Sequence, residues 1–167
     1  MEYQYYPKSD AIPVHLEKVV NVFRKNAEVI SSGTNKFSSD HVLSLLKPDL
    51  EQAGFDVESG KKFLDKINIP VLYGKNGIYE KSFDVDAFQK MSGTVLEIEA
   101  GRAVTNYQFL KDFFSACVMS EVYYLVIAVR KKYRDSPDFE RVLTFFDTLY
   151  ASKRLSLPLK GMLIIGY

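Results

Sequence analysis

The chain has 167 residues, 47% of them hydrophobic and 26% charged, with a formal net charge of +1. This length and balance suit one globular domain with a sizeable core, and a near-neutral charge neither demands nor excludes nucleic acid, because a local basic groove can coexist with an acidic site. No apolar run approaches the roughly 20 residues of a membrane span, the first residues lack a signal-peptide pattern, and a single cysteine excludes an internal disulfide and fits a reducing, cytoplasmic compartment.

Residues 1–14, broken by Pro7 and Pro13, read as an irregular N-terminal arm to a single domain spanning residues 1–167. Leu16, Val19, Val20, Phe23 and Ala27 recur at helical spacing and predict a helix over 15–31. Ser38, Ser39 and Asp40 are cap candidates for a second helix, which Pro48 either kinks or restarts and Gly54 ends. Residues 55–58 and 69–73 read as short strands. Tyr107, Leu110, Phe113, Phe114 and Cys117 predict a helix over 105–119. Residues 122–129 are apolar on both faces, as an interior strand would be. A helix over 139–151 and a strand over 159–167 close the chain. From residue 94 onward the order is strand, helix, strand, helix, strand, which implies partly parallel pairing. The fold class is therefore α/β, with a mixed sheet flanked by helices.

The stretch from Ile78 to Asn106 carries the chemistry. Lys90 to Gly93 is a turn between two alternating runs. If the runs pair about Met91 and Ser92, Asp86 lies opposite Glu97, and Asp84 opposite Glu99. Residues directly opposite share a face, about 5 Å apart at Cβ. Four carboxylates would then share one face, with Phe83, Val85, Ala87, Leu96 and Ile98 on the other. Opposed like charges destabilise a sheet, and a bound Mg²⁺ with oxygen ligands would offset the repulsion. The competing reading is an acidic edge hairpin in solvent.

This arrangement resembles the PD-(D/E)XK, or restriction endonuclease-like, nuclease superfamily. That family has a helix, then a three-stranded meander whose second and third strands carry Asp and Glu-x-Lys, then a helix and a strand. Phe83-Asp84-Val85-Asp86-Ala87-Phe88 matches the Asp-bearing strand, and Val95-Leu96-Glu97-Ile98-Glu99-Ala100-Gly101 the next. The resemblance covers about residues 15–130. Glu99 stands where the family's lysine would be, and the Glu-x-Glu pattern resembles the BamHI/BglII branch.

The resemblance implies a restriction endonuclease-like fold and Mg²⁺-dependent hydrolysis of DNA, with Mn²⁺ as a substitute metal and double-stranded DNA as partner. It implies Asp86 and Glu97 as metal ligands, the Ile98 carbonyl as an additional one, and Asp84 as the alternative ligand. Glu99 is the implied water-orienting base. Lys111 supplies a positive charge from the following helix, and Arg102 and Asn106 could contact phosphate. Branch members act as dimers on palindromes, so the resemblance also implies a homodimer, which these residues do not themselves show.

Other signals carry less. Ser59-Gly60-Lys61-Lys62 lacks the spacing and the Ser or Thr of a phosphate-binding loop. His15 and His41 are isolated, and Cys117 lies on an aromatic helix face. The basic run from Arg130 to Arg134 is the strongest remaining phosphate-contact candidate. Two other readings compete with a nuclease. One is a non-catalytic nucleic-acid-binding or assembly module on the same fold. The other is an α/β domain whose acidic hairpin binds Ca²⁺ or nothing.

Overall fold

Strand β7 (Tyr124–Val129) is the spine of the molecule. Its Leu125, Ile127 and Val129 enter one apolar cluster, and Val126 and Ala128 enter the other. A strand buried on both faces reads as a continuous apolar run, which is why residues 124–129 show no alternation. In the computed structural model, which describes residues 1–101 and 103–167 and every side chain among them but that of Phe63, this strand lies inside a six-stranded mixed sheet.

Parallel neighbours flank the spine: β6 (Thr94–Glu99) on one side and β8 (Gly161–Gly166) on the other. The connections are α4 (Gln108–Val118) and α5 (Asp138–Ser152), as parallel pairing requires. Beyond β6 lie β5 (Ala87–Gln89) and β2 (Asp56–Val57), both antiparallel to their neighbours. Helices α1 (Val14–Lys25) and α3 (Ser39–Gln52) cover one face through Leu16, Val19, Val20 and Phe23 and through Val42, Leu43, Leu46 and Leu50. Helices α4 and α5 cover the other through Phe109, Ala116, Phe139, Val142 and Phe146. Burying each such aliphatic or aromatic side chain stabilises the fold by roughly 1.5–3 kcal/mol. The result is a helix–sheet–helix sandwich. Among the described residues, no helix is long and apolar enough to cross a membrane.

Several expectations need correcting. The N-terminal arm is not irregular throughout. Glu2–Tyr6 forms β1, antiparallel to β8, with Tyr5 packed in one cluster and Tyr6 in the other. The pleat sends these adjacent tyrosines to opposite faces, and only after them does Pro7 end the strand. The first predicted helix breaks at Asn26. Its side-chain amide donates to the Val22 carbonyl at 2.9 Å and to Asp49 at 2.8 Å, a local alternative that competes with continuing the helix. A short α2 (Ala27–Ile30) follows. Helix α3 runs unbroken through Pro48 and stops at Gly54. There φ is +91°, and the Phe55 amide closes on the Leu50 carbonyl at 3.0 Å.

The hairpin about Met91 and Ser92 forms in the expected register, with Ala87 against Leu96, Phe88 against Val95 and Gln89 against Thr94. It does not extend to Asp84. The chain bends at Asp86, and β4 (Tyr79–Val85) pairs instead with β3 (Ile67–Tyr73) in a separate two-stranded sheet. Phe83 and Val85 consequently pack against the α4 side, while Ala87, Leu96 and Ile98 pack against α1 and α3. The expected single apolar face is thus divided at the bend.

Candidate metal centre

The bend at Asp86 is held from both sides. Its carbonyl accepts the Glu58 amide at 2.9 Å from just beyond β2. Its carboxylate accepts the Ile98 amide at 2.7 Å, where a straight strand would have offered a main-chain carbonyl. A side chain thus completes the ladder that the bend interrupts, and this fixes Asp86 against β6. The Ile98 amide points away from β7, so its carbonyl points the same way, because both groups of one strand residue face the same neighbour.

Glu97 and Glu99 alternate with Leu96 and Ile98 along β6. The latter pair enters the α1–α3 core, so the glutamates face α4. From α4, Asp112 faces back. It occupies a core-facing position between Phe109 and Ala116 and is only 8% exposed. Gln108 donates to its Oδ1 at 3.3 Å, while its buried Oδ2 has no donor among the described residues.

These four carboxyls perturb one another. Burial, offset in part by the Ile98 amide, raises Asp86 to about 7, and Glu58 and Asp112 add to the rise. Burial raises Glu97 well above the carboxylate range, with Asp86, Asp112 and Glu99 adding repulsion. Burial and the adjoining Asp112 raise Glu99 to about 8. Asp112 is raised by burial, with the adjoining Glu99, Lys111 and Gln108 opposing the rise. Two cations temper the cluster. Lys111, exposed on α4, draws Glu99 and Asp112 downward. Lys66, bonded to Glu58 at 2.6 Å, draws Asp86 downward.

The fold thus brings together Asp86, Glu97, Glu99 and the Ile98 backbone, with Lys111 nearby. It does not bring Asp84 to them. Asp84 is exposed on β4, where it accepts the Asn68 amide at 3.0 Å. Asn106 is exposed in the turn before α4. Arg102, the other expected phosphate contact, lies outside the described residues. Asp112 and the Glu58–Lys66 pair were not anticipated. A carboxylate in the Phe109, Asp112, Ala116 stripe was the available signal for the first. The second depends on β2 and β3 meeting at Asp86, which no local pattern encodes. Among the described residues, no three His, Cys, Asp or Glu side chains converge as a ready coordination sphere.

The discounted signals stay outside this cluster. His15 packs half-buried against the Tyr124 ring at 4.6 Å, and burial lowers its pKa. His41 packs against Phe37. Burial pushes the Cys117 thiol up to about 11, away from nucleophilic use. Lys61 pairs with Asp40 at 3.2 Å in a solvated turn.

No protein-family model matches the chain, and no curated protein matches it.

Proposed function

We propose that the chain is a metal-dependent nuclease of restriction endonuclease-like fold that hydrolyses DNA phosphodiester bonds. The observation that carries this reading is the cluster of Asp86, Glu97, Glu99 and Asp112 beneath α4, with every carboxyl raised by burial and Asp86, Glu97 and Glu99 raised further by acidic neighbours. Strongly perturbed carboxyls on a common face mark functional sites more often than structural ones. The order of elements adds support. Helix α3 precedes an antiparallel meander of β3, the bent β4–β5 and β6, and α4 and the parallel β7 follow.

The donor set fits a hard cation. It offers carboxylate and carbonyl oxygens with no thiolate or imidazole, and the undonated Asp112 Oδ2 has the free lone pairs that a cation or proton satisfies. Asp86, Glu97 and the Ile98 carbonyl would hold Mg²⁺, with Mn²⁺ as substitute. The side chains do not converge beforehand, so binding would entail rotation of the two glutamates and loss of the protons that burial favours on them. Such an ion supplies charge stabilisation at phosphate and acidifies a bound water.

The chain's own groups then have distinct tasks. Glu99, which burial and Asp112 favour in its protonated form, would accept the proton of the attacking water in place of the family's lysine. Lys111 offsets negative charge beside Glu99. Asp112, facing β6 from α4, adds the negative charge that keeps Glu99 basic.

A plasmid-nicking assay with Mg²⁺, Mn²⁺ or EDTA tests the proposal. Wild-type protein is expected to nick DNA with either metal and not with EDTA, and Asp86→Ala and Glu97→Ala should each abolish nicking. Metal-independent nicking, or full activity in either variant, overturns the mechanism. DNA binding without nicking under every condition points instead to a non-catalytic nucleic-acid-binding module.

A further inference from the structure

Where β6 and β7 end, a cleft of about 720 Å³ opens between two layers of the fold. Ala100, directly after Glu99, forms one wall. Lys36 and Phe37 approach from the segment before α3, and Arg130, Lys132 and Arg134 from the loop after β7. Four cations line the cleft against one carboxylate, Asp135. None of the four is in a salt bridge among the described residues.

Arg130 shows that the cleft is built rather than incidental. It is 8% exposed, donates to the Phe37 carbonyl and sits 5.5 Å from the Tyr133 ring centre, which Arg134 approaches to 5.4 Å. A buried guanidinium with no carboxylate partner among the described residues carries a desolvation cost, and an incoming anion would offset it. The cleft is also tied to the acidic strand. The Tyr167 hydroxyl, which feels the Arg130 charge, donates to the Glu99 carbonyl at 3.3 Å. In α/β folds, the carboxyl ends of parallel strands are the usual place for ligands.

We propose that this cleft binds a phosphate group of DNA beside the one hydrolysed, and so sets the path of the strand past Glu99. The identity of the ligand rests on the nuclease reading; an anion site at this position does not. Planar guanidinium forks suit phosphate oxygens. The exposed Lys36, Lys132 and Arg134 would contact the backbone, while Arg130 and Tyr133 form the floor. The phosphate is either an internal phosphodiester or a terminal 5′-phosphate, chemically alike at this site.

The test is binding of a short fluorescein-labelled duplex in EDTA, where no hydrolysis intervenes, across a series of salt concentrations. Lys36→Gln, Lys132→Gln and Arg134→Gln each replace an exposed cation and should each flatten the salt dependence by about 0.9 in the log–log slope. The triple variant should lose most of the affinity, whereas Lys153→Gln, on the far end of α5, should change neither quantity. Duplexes with 5′-hydroxyl or 5′-phosphate ends distinguish the two sources: equal binding identifies the backbone, and a preference for the phosphorylated end identifies a terminal phosphate. Unchanged affinity and slope in the triple variant overturn the cleft proposal, even if wild-type protein nicks plasmid. Cleft-dependent binding without nicking under any metal condition retains the cleft and removes the nuclease reading.

Discussion

Asp86→Asn isolates the electrostatic cost of the acidic cluster. The substitution keeps an oxygen to accept the Ile98 amide, as Asp86 does at 2.7 Å, and removes only the charge. Asp86 titrates at about 7 in the fold, against 3.8 ordinarily. Between those values the unfolded chain binds fewer protons than the folded one, so stability falls as pH rises through that window and the whole penalty is present above it. At about 1.4 kcal/mol per pH unit, the penalty has an upper limit of about 4 kcal/mol. Asp86 is only partly buried, and solvent screening brings the expected gain to about 2 kcal/mol. For a chain of this size that is about 4–8 °C in melting temperature. Urea unfolding in EDTA should therefore show Asp86→Asn more stable than wild type near about pH 8.5 and no more stable near about pH 4, where both side chains are neutral. Equal destabilisation at both pH values would mean that the carboxylate is a net structural asset, and the argument from repulsion would fail.

Mg²⁺ should raise the wild-type melting temperature more near about pH 8.5 than near about pH 5, because only the ionised cluster gains from a cation; an equal or absent effect, read by differential scanning calorimetry, contradicts this. Asp112→Asn should abolish nicking, whereas Asp84→Ala, whose carboxylate faces Asn68 on β3, should retain most of it; the opposite pair of results would restore Asp84 as the ligand. Gly101→Ala should destabilise the fold by about 1–3 kcal/mol in urea titration, since φ is +137° and a Cβ would come within 2.6 Å of the Tyr133 ring.

The parts of the fold legible from local pattern are those whose periodicity is uninterrupted. The apolar run of β7, the Leu16–Phe23 stripe of α1 and the strand–helix alternation after residue 94 each encode their own placement. The misses occur where a long-range partner overrides a local signal. Strand β1 exists because β8 offers an open edge to Glu2–Tyr6, and two nearby prolines give the opposite impression. Helix α1 ends at Asn26 because Asp49, from α3, is within reach of the amide. Neither partner is visible within a window of a dozen residues.

The acidic site divides along the same line. The period of two along β6, together with the turn at Lys90–Gly93, suffices to set the register that pairs Ala87 with Leu96 and so brings Asp86 to β6. The same periodicity, carried two residues further, puts Asp84 opposite Glu99 and fails, because β4 finds a better partner in β3 than in β6. A fully extended hairpin would have stacked Asp84 on Glu99 and Asp86 on Glu97, with four like charges in adjacent register. Bending at Asp86 removes one of the two like-charge contacts and lets a carboxylate cap the Ile98 amide. Asp112 then enters from a different layer and adds its negative charge beside Glu97 and Glu99. The chain therefore relieves repulsion along the sheet and restores it across the layers, at the end of β6 that adjoins the basic cleft. Repulsion restored across the layers costs stability unless protons or a cation offset it, and that cost is what the Asp86→Asn and Mg²⁺ measurements read.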